Sequence, residues 1–131
     1  MKYIDFGLSL QIDNVTPCDY GMAGTPSYMA PEMVLKRPYT LAVDCWSLGV
    51  MIFQLLTGAE STHPFILACA QCNDDSSVDP FDAARPALPG EEANALLGML
   101  LQSDPKERAS ANEVTRHLTF TRPMGTGRRA P

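Results

Sequence analysis

Several short stretches of this 131-residue sequence hold residues whose types and spacing can do chemistry. Asp5-Phe6-Gly7 sets a carboxylate, a hard oxygen ligand suited to a divalent cation, beside a glycine that permits a sharp backbone turn. Taken alone these are three common residues, and a chance turn after a strand explains them equally well. Gly24-Thr25-Pro26 has the composition of an ordinary loop turn. Glu32 and Arg108 are a carboxylate and a guanidinium that can join through two parallel hydrogen bonds, although each viewed singly is a solvated surface charge. Asp44 stands at the head of an apolar stretch, where the first turn of a helix favours an acid. Cys69 and Cys72 form a C-x-x-C pair that lacks the second half of a zinc site, and Cys18 and Cys45 are isolated, so all four read as reduced thiols.

The elements that must position these groups are mainly helical. "KYI" at 2–4 alternates as a short strand, and Asp5 to Tyr28 then lacks sustained periodicity and reads as a long loop, a length that points to function. Pro31 and Glu32 suit the first turn of a short helix reaching about Leu35. From Thr40, a good N-cap, to Gly58, a stop signal, apolar residues occupy all sides of a helix, which predicts a central pillar at about Leu41 to Thr57 with part of it left as an apolar patch. Another short helix is expected after "HPF", then an acidic, proline-punctuated loop from Asn73 to Pro89. Glu91 to Gln102 places Ala93, Leu96, Leu97 and Leu100 on one face, and Ser110 with Glu113 forms a capping box for a last helix ending near Leu118. Residues 121–131 have the composition of a disordered tail.

Composition narrows the function classes. A 45% hydrophobic chain of this length fits one globular unit. Its formal net charge of -5 argues against nucleic-acid binding by phosphate neutralisation, the densest basic cluster being "GRRA" near the end. The longest uncharged run, Cys45 to Ala59, falls short of the ~20 apolar residues of a membrane span. With no signal peptide evident, the expected location is intracellular and cytoplasmic.

Order decides what each motif alone leaves open. "DFG" is followed by "GTPSYMAPE", "DCWSLGV" and "DPKERAS", a series that resembles the C-terminal lobe of a eukaryotic-type serine/threonine protein kinase over residues 1–120. The fold this implies is mainly α: a partial kinase lobe with helices around a central apolar helix, a long activation loop and little strand. The resemblance implies that Asp5 is a Mg²⁺ ligand, that Asp5, Phe6 and Gly7 face the nucleotide with Phe6 packed inward, and that Thr25 contacts a catalytic aspartate outside this sequence. It further implies that Pro26, Ser27, Tyr28 and Met29 form a substrate pocket. Glu32 and Arg108 would tie the activation segment to the lobe, and Asp44 would accept backbone hydrogen bonds from the catalytic loop with Trp46 packed nearby.

One departure stands out: relatives carry a phosphorylatable residue three positions before the Gly-Thr pair, where this chain has Gly21. Thr16, Ser9 and Tyr20 are the remaining candidates for phosphate, and Asp19 a source of negative charge. The sequence holds no Gly-rich loop, strand lysine or H-R-D-x-x-x-x-N segment. The expectation is therefore the C-terminal portion of a kinase that uses Mg²⁺ and ATP in its complete domain, with little or no nucleotide binding and no phosphate transfer by this chain alone. Its partners would be a protein substrate and other kinases or regulators. The alternative is a truncated, non-catalytic binding module.

Overall fold

The computed structural model describes residues 2, 4–12, 18, 21, 23–58 and 90–117. A 3₁₀ turn at Pro26–Tyr28 leads into helix α1 (Pro31–Val34), the long helix α2 (Ala42–Thr57), α3 (Glu91–Leu100) and α4 (Ala111–Arg116). The expected helix after "HPF", the acidic loop, the C-x-x-C pair and the tail lie outside the described residues.

Local chemistry explains each boundary. Pro31 opens α1 where its missing N–H costs nothing, and Glu32 sits in the first turn. The N-cap of α2 is Leu41, with no side-chain cap hydrogen bond, rather than the expected Thr40, whose hydroxyl one residue earlier accepts from the Ala42 N–H at 3.3 Å. Gly58 closes α2 in the left-handed region with φ of 67°, its N–H donating to the Gln54 carbonyl at 2.9 Å. Ser110 caps α4 as the capping box predicts, with the Ser110 N–H donating to Glu113 Oε2 at 2.8 Å. That helix stops at Arg116, before the expected end near Leu118, which is not among the described residues.

The core lies between α2 and α3. Trp46, Val50, Leu97, Leu100 and Leu101 are its largest fully buried side chains. Leu96, Leu97 and Leu100 are buried as the apolar spacing of α3 requires, and Ala93 is half-buried. Gly49 lets the two elements approach: a β-carbon there would stand 2.9 Å from Leu100 Cβ and 2.8 Å from Leu101 Cδ2. The pillar is thus buried along Cys45, Trp46, Gly49 and Val50, while Met51, Leu55 and Leu56 on its other side are exposed, Leu55 to 84%.

One expectation fails. Lys2 and Ile4 form no strand, and among the described residues the sole bridge is antiparallel, between Cys18 and Tyr39. An extended segment draws its hydrogen bonds from a neighbouring strand, and among the described residues no bridge involves Lys2 or Ile4, while Tyr3 lies outside them. Among the described residues no helix is long and apolar enough to cross a membrane.

Candidate functional site

A cleft of about 860 Å³ gathers several of the chemistry-bearing residues: Asp5 and Phe6 on one wall, Gly24, Thr25, Tyr28 and Met29 on another, and Asp44 and Ser47 from the start of α2. Glu32, Trp46 and Arg108 do not line it. They sit behind the wall formed by residues 25–29.

The Asp5 wall is formed by a turn. The Ser9 N–H donates to the Phe6 carbonyl at 3.0 Å, and Asp5 adopts a φ of 67°, a left-handed value uncommon for any residue but glycine and best tolerated by short polar side chains such as Asp and Asn. Its carboxylate is exposed. Phe6, expected to pack inward, is instead 67% exposed, and Ile4, Leu8 and Leu10 are exposed with it. A phenyl ring packs only where apolar surface faces it, and the described residues offer none at this position.

The opposite wall is held firmly. The Thr25 carbonyl accepts from the Tyr28 N–H at 3.0 Å and the Pro26 carbonyl from the Met29 N–H at 3.2 Å, which closes the 3₁₀ turn. Pro26 fixes φ for its first position. The Tyr28 hydroxyl donates to Gln54 Oε1 at 2.8 Å, and the Ser47 hydroxyl lies 2.8 Å from the Tyr28 carbonyl and 3.1 Å from that of Val43, one proton serving two acceptors. Met29 is buried, Ser27 and Tyr28 are half-buried, and Thr25 and Pro26 are exposed. Two turns of α2 therefore fix the height of residues 25–29.

Beneath that wall Arg108 is completely buried and all its donor nitrogens are engaged. Nη1 and Nη2 reach Glu32 Oε1 and Oε2 at 2.7 and 3.0 Å, a bidentate pair across the fold. Nη1 also donates to the Ala42 carbonyl at 3.0 Å, Nε to Gln102 at 3.0 Å and Nη2 to Ser103 at 3.5 Å. Its guanidinium lies 5.1 Å from the Trp46 ring centroid, a cation–π contact. One side chain thus ties α1, the start of α2 and the turn after α3 together. Burial, with a smaller push from Asp44, drives the neighbouring Cys45 thiol up against the opposing pull of Arg108, so it stays protonated. Cys18 and Cys45 are both free thiols. Among the described residues no group of His, Cys, Asp and Glu is arranged to enclose a metal ion.

Sequence reasoning missed Gln54 and Ser47, which carry the cleft wall, and Tyr39, which pairs with Cys18. Gln54 was legible in principle as the lone amide in an otherwise apolar run, a residue type that needs a partner when it is drawn into a core.

Comparison with known proteins fits this geometry. The chain is 36% identical over 130 residues to Ribosomal protein S6 kinase alpha-6 of Danio rerio, an alignment spanning 92% of this chain and 16% of that protein. It is 35% identical to Serine/threonine-protein kinase PLK4 of Drosophila virilis, over 96% of this chain and 16% of that protein. With Serine/threonine-protein kinase PAK 4 of Mus musculus the identity is 33%, over 93% of this chain and 20% of that protein. The chain therefore spans a fifth or less of the length of these relatives. A family profile described as "Protein kinase domain" matches residues 1–120, and the chain belongs to the protein kinase domain family.

Proposed function

We propose that this chain is the C-terminal portion of a serine/threonine protein kinase, contributing the substrate-docking wall and one metal-facing carboxylate to ATP-dependent phosphoryl transfer. The observation that carries this reading is the cleft, which the exposed Asp5 lines together with Thr25, Tyr28, Met29 and Asp44. Magnesium is typically held by one or two carboxylates with phosphate oxygens and water completing the shell, so Asp5 fits as one protein ligand. The ion supplies neutralisation of charge on the phosphates.

The chain's own residues do the remaining work. Ser47 and Gln54 hold Tyr28, the turn presents Thr25 to the cleft, and Pro26, Ser27, Tyr28 and Met29 form the ledge on which a protein substrate lies. Arg108 and Glu32 keep that ledge fixed to the lobe. The left-handed Asp5 supports a functional role for its turn, since strained backbone concentrates at such sites. Phosphoryl transfer needs positioned lysine, metal and base together, so the isolated chain is inactive and binds nucleotide weakly.

Calorimetric titration of Mg-ATP into the purified chain tests this reading. The expected dissociation constant is ~1 mM or weaker, a standard free energy of about -4 kcal/mol or smaller in magnitude. Low-micromolar binding would contradict the division of labour proposed for this segment.

A further inference from the structure

The cleft wall formed by residues 23–25 is approached from two sides. On one side α2 holds Tyr28. On the other, the chain is fastened by Tyr39, two residues before the Leu41 N-cap of the same helix. The Cys18 N–H donates to the Tyr39 carbonyl at 2.9 Å and the Tyr39 N–H to the Cys18 carbonyl at 3.0 Å, a complete antiparallel pair. The Tyr39 hydroxyl then reaches the Gly21 carbonyl at 3.4 Å, and Cys18 Sγ lies 3.4 Å from the Tyr39 carbonyl. Gly21 has a φ of 73°, which a β-carbon would strain, so glycine suits the turn that aims its carbonyl at the phenol. Tyr39 itself is buried.

We propose that Tyr39 is a positioning residue whose backbone and hydroxyl clasp Cys18 and Gly21 and thereby fix the Ala23–Thr25 wall of the cleft against α2 for a protein substrate. This inference rests on the reading of the cleft as a substrate site. The hydrogen bonds named here join backbone groups, a phenol and a thiol rather than charged side chains. It therefore holds without a phosphate group and without sensitivity to salt, which screens charged latches but not neutral hydrogen bonds.

The test compares wild type with Tyr39→Phe, which keeps the buried ring and removes the hydroxyl that bonds Gly21, and with Tyr28→Phe, which loosens the other end. Residue-resolved amide exchange on the chain needs no activity. Tyr39→Phe should speed exchange at Cys18 and residues 23–25 about two- to tenfold, equally at low and high salt, and leave Tyr28 and Met29 unchanged. In the full-length protein, the same substitution should raise KM for a peptide substrate by a similar factor without changing KM for ATP, before and after phosphatase treatment. Unchanged exchange at Cys18 and 23–25 would overturn the clasp. Accelerated exchange with an unaltered peptide KM would overturn its positioning role. A full-length protein with no transfer activity would defeat the kinase reading and with it the link to substrate, while the exchange data still decide whether the clasp exists.

Discussion

The Arg108 cluster and the Asp5 turn differ in how they are held. Around Arg108, a bidentate ion pair, three backbone carbonyls and the Trp46 ring are locked together with no exposed side-chain surface on the arginine. Around Asp5, the Ser9–Phe6 turn hydrogen bond accompanies a left-handed Asp5 backbone amid exposed Ile4, Phe6, Leu8 and Leu10. The Arg108 cluster is thus held by many buried contacts, whereas the described residues around Asp5 are exposed. The turn at residues 25–29 is bonded to α2 through Tyr28, and the exposed side chains around Asp5 call for apolar surface that the described residues do not provide.

That contrast predicts a ranking of substitutions. Arg108→Ala strands the Glu32 carboxylate in a buried site and should cost roughly 3 to 5 kcal/mol in urea unfolding, or prevent folding altogether. Exchanging both partners for apolar residues of similar volume should recover much of this, which separates the ion pair from its mere burial. Gly49→Ala comes next. Its methyl group would meet the Leu100 β-carbon and the outer side-chain atoms of Leu101, so about 1 to 3 kcal/mol is expected, against the gain usual for alanine in a helix interior. Tyr28→Phe removes the Gln54 bond and should cost about 1 kcal/mol while leaving the fold's far-ultraviolet signature intact.

Smaller again is the pH effect at α4. Hydrogen bonds from the Ser110 side chain and then its backbone hold the Glu113 carboxyl below its ordinary value of 4.5. A carboxylate lowered in the folded state contributes stability above the unfolded value, and that contribution disappears as pH falls through the lowered folded one. Thermal unfolding from pH 6 down to pH 3 should therefore show a component that Glu113→Gln abolishes. Asp5→Asn, at the other extreme, should change unfolding stability by less than about 0.5 kcal/mol, because its exposed side chain supports nothing in the lobe.

How much of this was legible in the sequence follows the same division. The scaffold was: the apolar stripe of α3, the Ser110–Glu113 box and the Gly58 stop are local signals, and local chemistry decided them. The Arg108–Glu32 contact spans most of the chain, and only the ordered series of motifs pointed to it. What the sequence could not convey was the fate of groups whose partners lie far off or beyond the described residues. Alternation at 2–4 promised a strand, yet a strand is a property of two segments. Phe6 promised burial, yet burial requires a facing surface. The polar anchors Gln54 and Ser47 were hidden inside a helix whose apolar content dominated its reading.

The most direct test of the proposed kinase role is a radiolabelled phosphate-transfer assay on three samples: the isolated chain, the full-length protein, and the full-length protein with Asp5→Asn. The account predicts no transfer by the chain, transfer to a serine or threonine substrate by the full-length protein, and a loss of at least about a hundredfold in kcat with Asp5→Asn, which removes a metal-ligating charge. Robust transfer by the chain alone that Asp5→Asn abolishes, or full-length activity indifferent to Asp5→Asn, would contradict it.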